Sequence, residues 1–449
     1  LSGLLCAAIL LVLGGGRSRG VAACAAAVLF PGTVALSRVL ALMWLPWVLL
    51  VLAATVATAA VCHRALGMPR ACSRWVLAGL VLKLGLVPLP AFPRGDSFFH
   101  VHKVWAVRQG RAPTSRAPGP SGRAMEVPYP PAFHAILIPL FDRTRSESEQ
   151  ASVVQAAVAL LEGTAPALLF GLMRAGGASV GAAGPAAIAC AVMPEGMLVV
   201  AKGIAANAFA AWIGLGVLWA ILRRASLLVV GALLTFLFLS HVGASITFVA
   251  LLGLWISGGR TLWKDISRGE AVRLTAAVLG AASVAWFAYY RATASLLAEG
   301  LASTRAAMTT APEGFLAVRW VRVGKTGQDL VVKFGALPLL VAARGLWRAT
   351  IPSPLRGLLV SWLVTGALFG VVALVTPFPL RFEYFLVPAV AMAAGLGADS
   401  LPGRMRRWAS LAWGATLLLQ AAIGWSLASG RFELMSVIME SDKWPFPFR

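Results

Sequence analysis

The segment GDSFFHVHKVWAVRQG, residues 95–110, sets an aspartate, two histidines and a lysine close together, directly after a long apolar run. On a helix that begins at Asp96, positions 96, 100, 103 and 107 share one face, so Asp96, His100 and Lys103 line up. His102 falls roughly a third of a turn away from them. A carboxylate in that place can take a proton from an attacking hydroxyl or help hold a divalent cation, while His100 and Lys103 can grip a phosphate. The same residues also suit a purely local role. Asp96 after Gly95 has the type and position of a helix N-cap, and Gly110 is a natural helix stop. Both readings of Asp96 stay open at this level.

These side chains must be held by a chain that is 59% hydrophobic and only 12% charged. A soluble domain averages roughly 25% charged residues, so this is an integral membrane protein. Crossing a core ~30 Å thick takes roughly 20 helical residues, and the ten-residue alternation of a β-barrel is missing. Apolar segments near 1–16, 21–37, 39–62, 75–92, 150–173, 178–193, 197–222, 226–239, 242–257, 274–291, 331–347, 357–375, 384–398 and 408–428 are the expected spans. The fold class is therefore an all-α, polytopic helical bundle of about 12–14 spans, with extracytoplasmic loops that carry short amphipathic helices. The five cysteines show no metal-ligand spacing and read as buried thiols.

The net charge of +22 follows a pattern along the chain. Arg17 and Arg19, Arg64 to Arg74, Arg174, Arg223 and Arg224, Arg260 to Arg273, Arg344 to Arg356, and Arg404 to Arg407 fall in alternate connections. The positive-inside rule puts these in the cytoplasm and the intervening segments outside. The outer segment 93–130 is basic as well, which suggests an anionic partner there. A phosphate-bearing lipid head group suits that side; nucleic acid does not.

Six regions follow: N-terminal spans in 1–92, a first large outer loop at 93–149, core spans in 150–291, a second outer loop at 292–330, further spans in 331–428 and an outer tail at 429–449. Residues 112–124 hold no aromatic or β-branched apolar residue and read as a mobile, lid-like piece. Lys83, Glu162 and Lys202 fall inside spans, where ionisable groups are costly and functional by default. Structural pairing or snorkelling is the alternative for each, and Lys83 with Glu162 is one conceivable pair. Lys202 lies about two helical turns from Glu195. His241 reads as a hinge partner between two helices, Tyr129 as an interfacial anchor, and His134 as part of the re-entry segment. Arg319, Arg322 and Lys325 form either a solvated charge run or a second phosphate clamp.

GDSFFHVHKVWAVRQGR followed by PYPPAFH resembles the first extracytoplasmic loop of the GT-C superfamily of multi-pass glycosyltransferases. That superfamily includes protein mannosyltransferases, arabinosyltransferases and oligosaccharyltransferase catalytic subunits. VMPEGMLVVAKGIAANAFAAWIGLGVLWAILRR, LTFLFLSHVGASITFVALLGLWI and TPFPLRFEYFLVPAVAMAAGLGADSL resemble later family segments in the family's order, and together the likeness covers about 95–400. No Trp-Trp-Asp-type acceptor motif is present.

The resemblance implies a sugar donor on a polyprenyl phosphate or diphosphate, and transfer to a glycan, lipid or protein acceptor outside the plasma or inner membrane. By position it makes Asp96 the catalytic or metal-binding carboxylate, and Glu195 the acid of a later outer loop, with Mg2+ or Mn2+ as the cation. It makes His100, Lys103 and Arg381 candidate phosphate-gripping groups; Lys202 is a further candidate from its place in the chain, and His102, Tyr129, His134, His241, Arg319 and Arg322 are expected around the same cavity. Two other functions fit the composition. One is a transporter or flippase of an anionic lipid-linked solute through Lys83, Glu162 and Lys202; the other is a non-catalytic protein of the same fold. The gathering of polar residues on one outer face, without two related halves, favours the enzyme.

Overall fold

The apolar runs become helices whose starts are set by short polar residues. The computed structural model describes residues 45–89, 92–118, 124–262, 266–299, 302, 330, 331, 333–348, 351–375 and 382–428. The helices are α1 (Leu45–Ala60), α2 (Arg70–Leu86), α3 (Ser97–Arg108), α4 (Ala132–Phe141), α5 (Glu147–Ala175), α6 (Val180–Val192), α7 (Pro194–Lys202) and α8 (Ala205–Leu222). Then come α9 (Leu227–Phe238), α10 (Val242–Thr261), α11 (Arg268–Ala288), α12 (Ala336–Arg348), α13 (Ser353–Val375), α14 (Phe382–Asp399) and α15 (Gly403–Ala428). Ser146, Ser179, Ser226 and Ser267 cap α5, α6, α9 and α11, each hydroxyl accepting from a backbone N–H three residues on. These caps satisfy donors that the first turn leaves open.

Six described helices are long and apolar enough to cross a membrane: Trp47–Ala65, Glu147–Ala175, Ala205–Leu222, Val242–Thr261, Arg268–Ala288 and Ser353–Val372. The pair α6–α7, bent by 41°, makes a seventh if it is one span. Leu227–Phe238, Ala336–Trp347 and Tyr384–Asp399 are shorter apolar helices at expected spans. The expected segments 1–16 and 21–37 lie outside the described residues, as does most of 292–330 and all of 429–449. One expected span is corrected. The run 197–222 is two helices, because Gly203 takes a left-handed φ of +66° and ends α7 there.

The core is alanine-rich. Ala183, Ala186, Ala187 and Ala189 of α6 are fully buried, as are Ala389, Ala391 and Ala394 of α14, and these two helices pack tightly together. Small side chains let helix backbones approach where lipid supplies no hydrophobic drive. By contrast Val272, Leu279, Val284 and Phe287 of α11 are exposed, a surface suited to acyl chains.

Hydrogen bonds tie the connections into two groups at opposite helix ends. Ser179 donates to Asp399 at 2.7 Å, and Arg273 donates to the Ala225 carbonyl at 2.8 Å, joining the arginine-bearing turns. At the other ends Ala132 N–H donates to Leu239 at 2.8 Å and the Tyr290 hydroxyl to the Phe238 carbonyl at 2.7 Å. Of residues 112–124, expected as a lid, 114–118 and 124 belong to a two-stranded sheet, and 119–123 lie outside the described residues. Thr114–Pro118 (β1) pairs antiparallel with Ala124–Pro128 (β2), Thr114 opposite Pro128. The hairpin base is fastened at Pro113, whose carbonyl accepts from Tyr129 N–H at 3.0 Å and from the Tyr289 hydroxyl at 2.9 Å.

Candidate functional site

Asp96 sits on a turn held from two sides. Arg94 donates to Ser152 Oγ at 2.7 Å and to the Ser148 carbonyl, and Gln155 donates to the Pro93 carbonyl, so α5 fixes the entry to the turn. From the other side, Asp96 N–H donates to the Lys202 carbonyl at 2.7 Å, at the end of α7. Gly95, with φ +39°, lets these two backbones meet. Asp96 occupies the N-cap position of α3, yet its side chain makes no capping hydrogen bond. The cap expected from its type is thus not formed. Asp96 is among the residues that line a cavity.

The cavity has a volume of about 450 Å³ and is lined by the Asp96 turn, β1 and residues of several helices. Its polar wall comes from Asp96, Ser115 of β1, Tyr129, Asn207 of α8, His241 and Thr247 of α10. Leu215, Leu237, Phe248, Trp362, Phe369 and Phe385 supply apolar wall. Among the described lining residues Asp96 is the one carboxylate, and none is lysine or arginine. The volume falls in the ordinary range for a small-molecule site.

Behind Tyr129 lies a buried imidazole pair. His100 Nδ1 and His134 Nε2 are 3.1 Å apart, with nearly parallel rings 5.3 Å between centroids. Tyr129 meets Phe99, His100 and His241 edge-on, at 5.2, 5.9 and 5.9 Å. Burial pushes the His134 imidazole down from 6.5 to about 3; the Pro130 backbone opposes this and the Lys103 charge adds to it. His134 is therefore neutral at pH 7.

That has a measurable consequence. Between pH 6.5 and about 3 the unfolded chain holds a proton on His134 that the folded chain refuses. Its contribution to stability is complete above pH 6.5 and is lost as the pH falls through that window, roughly 1.5–2 kcal/mol by pH 5. Thermal unfolding in detergent at pH 7.5 and 5 should show a smaller acid shift for His134→Asn than for the parent. Equal shifts would remove His134 as the source.

The other sequence-predicted residues divide. His241 does two things: it lines the cavity, and its Nδ1 accepts from Ala244 N–H at 3.2 Å to cap α10. Lys103 lies 4.6 Å over the Phe99 ring and donates to the Thr114 carbonyl, bracing the hairpin. Burial draws its pKa down, with Glu126 opposing. His102 stands apart, exposed, 2.9 Å from Glu147 on the outer flank of α3. Glu195 and Lys202 are buried on α7 and do not form part of the described cavity wall. Arg319, Arg322 and Arg381 lie outside the described residues. Among the described residues no three His, Cys, Asp or Glu side chains gather as a metal site. The described cavity wall thus offers a cation Asp96 as its one carboxylate.

Sequence reasoning passed over Tyr384, Trp362 and Asn207. A signal for Tyr384 existed, since the chain has only four tyrosines. Tyr129 and Tyr384 line the cavity, while Tyr289 and Tyr290 fasten loops at the same end.

No family model matches the chain, and no curated protein matches it. Solved structures do resemble it. ArnT from Cupriavidus metallidurans bound to undecaprenyl phosphate shares 14% identity over 82% of this chain and 75% of its own, with a TM-score of 0.48. The Archaeoglobus fulgidus oligosaccharyltransferase in its apo form shares 13% identity over 82% of this chain and 55% of its own, with a TM-score of 0.47.

Proposed function

We propose that this chain is a membrane glycosyltransferase that moves a sugar from a polyprenyl-phosphate- or diphosphate-linked donor to an acceptor on the extracytoplasmic side. The observation that carries the reading is the mixed cavity wall: a single carboxylate with hydroxyl, amide and imidazole groups, beside a large aromatic and aliphatic surface. A ligand with a sugar head and a prenyl tail calls for both kinds of surface. The sidedness is supported by the grouping of the arginine-bearing turns at the helix ends opposite the Asp96 turn.

In this reading Asp96 takes the proton of the acceptor hydroxyl as its oxygen attacks the anomeric carbon. The bond from that carbon to the phosphate oxygen breaks, and the lipid phosphate leaves with the electron pair. Asn207, Ser115 and Tyr129 orient sugar hydroxyls, and the aromatic rings offer faces for stacking. Arg381, Arg319 and Arg322 are the proposed partners of the phosphate, since Lys202, His100 and Lys103 do not line the described cavity. A divalent cation, if used, would bind Asp96 and supply charge stabilisation; the proton transfer to Asp96 does not require it.

The test is binding. A short prenyl phosphate should raise the melting temperature of the purified protein in a saturable way, and the corresponding prenol should do so far less. Equal shifts from alcohol and phosphate, or none from either, would overturn the reading.

A further inference from the structure

Three buried residues are not used by the reaction above. Lys83 of α2 is fully buried, Glu162 of α5 nearly so, and Tyr384 of α14 is buried apart from its place in the cavity wall. The Tyr384 hydroxyl donates to Glu162 Oε1, and Lys83 Nζ donates to the Ala191 carbonyl of α6 at 3.4 Å. Gly196 of α7 completes the seat. A Cβ there would lie 3.0 Å from Lys83 Nζ and 3.1 Å from Glu162 Oε2, so both groups flank a space left open by the missing methyl. Five helices thus converge on one polar knot in an otherwise apolar interior.

Stability alone does not account for it. Replacing buried ionisable groups by well-packed apolar ones is often neutral or stabilising, and ionisable groups in a bundle's interior are costly. Of the three side chains only Tyr384 forms part of the cavity wall, as Lys83 and Glu162 do not line it. The residue after Tyr384 extends the same wall: the Phe385 carbonyl accepts from Trp362 Nε1 at 2.9 Å, and the two rings lie 5.6 Å apart. A midplane path for a transported solute would need the charges to line the cavity, and they flank the Gly196 position instead.

We propose that Lys83 and Glu162 are positioning residues that hold Tyr384, and with it the Tyr384–Phe385–Trp362 face, in the place that seats the lipid-linked donor. The donor part of this statement rests on the function proposed above; the positioning of the wall does not.

The decisive variant replaces the knot with apolar groups, Lys83→Met, Glu162→Leu and Tyr384→Phe together. It should fold and melt close to the parent, while the donor concentration for half-maximal rate rises about tenfold or more and kcat changes far less. A second readout needs no donor. With Asn207→Cys in the cavity wall, labelling by a small water-soluble maleimide, corrected for the parent's native cysteines, should change several-fold when the knot is removed. Unchanged labelling and unchanged donor dependence would overturn the proposal. If the triple variant does not fold, Tyr384→Phe alone, which deletes one hydroxyl, must move both readouts in the same direction, and its failure to do so is equally fatal. If the parent binds no prenyl phosphate, the donor reading falls and the labelling rate alone decides the positioning.

Discussion

Asp96→Asn should reduce sugar transfer by about 10²–10⁴-fold, the range for losing a positioned general base, with little change in melting temperature. The small structural effect follows from the geometry. The Asp96 side chain makes no capping bond to α3. The turn is held by its backbone, through Asp96 N–H to Lys202 at 2.7 Å and through the Asp96 carbonyl, which accepts from His100 N–H at 3.0 Å. Asparagine keeps the shape and both of these bonds. It cannot take a proton from the acceptor. Because binding of the prenyl phosphate draws on other residues, the variant should still show the ligand-induced melting shift. Transfer of labelled sugar from a lipid-linked donor in proteoliposomes, read beside that shift, separates the two. A variant that transfers as fast as the parent would leave Asp96 without a chemical role.

The broad class was legible because a membrane imposes strong constraints on composition. Apolar runs of span length and basic residues in alternate connections were enough to expect a helical bundle, and the hydrogen bonds at its two ends group the connections as that pattern requires. What the pattern could not show is a break inside an apolar run. Glycine is frequent in membrane helices, so Gly203 was indistinguishable from Gly214 or Gly216 on composition. Only the backbone shows that Gly203 alone of these is left-handed. The hairpin failed to appear for a related reason. Residues 114–118 have no two-residue hydrophobic alternation, and their strand character comes from pairing with 124–128 rather than from propensity.

At the site, helical spacing put His100 and Lys103 with Asp96, but spacing fixes only which residues share a face. It does not say which of them meet the cavity. Packing against α4 turned His100 toward His134, thirty-four positions away, and the hairpin drew Lys103 to the Thr114 carbonyl. Neither partner is visible locally. Asp96 was undecided between cap and chemistry in the sequence, since both want a carboxylate at a helix start. The bond from its own N–H to α7, a long-range contact, settles where the turn sits and leaves the cap unmade. That Glu162 and Lys83 would lie near one another was conceivable from their types, whereas the bond from Tyr384, more than two hundred positions from Glu162, was not.

That dependence on a single long-range seam leads to the largest expected stability effect. Gly95→Ala should unfold the seam between the Asp96 turn and α7. Gly95 has φ +39°, and an added Cβ would lie 2.1 Å from the Lys202 carbonyl oxygen, 2.4 Å from its carbon and 2.8 Å from its Cα. All three are backbone atoms of a buried helix end, so no rotamer change relieves the overlap. Gly203→Ala makes the reciprocal clash, 2.5 Å from Ser97 Oγ and 2.9 Å from Ser97 N, at φ +66°. Each substitution should cost ~3 kcal/mol or more, combining a left-handed backbone penalty with overpacking, and should depress transfer without altering a reacting group. Gly110→Ala supplies the control. Its φ is +70°, yet nothing lies within 4 Å of an added Cβ, so it carries only the backbone term of about 1–2 kcal/mol. Thermal melts of the three variants in one detergent therefore separate dihedral strain from steric overlap. If Gly95→Ala melts no lower than Gly110→Ala, the two backbones do not approach as closely as the 2.7 Å hydrogen bond between Asp96 and Lys202 requires, and the placement of the carboxylate at the cavity fails with it.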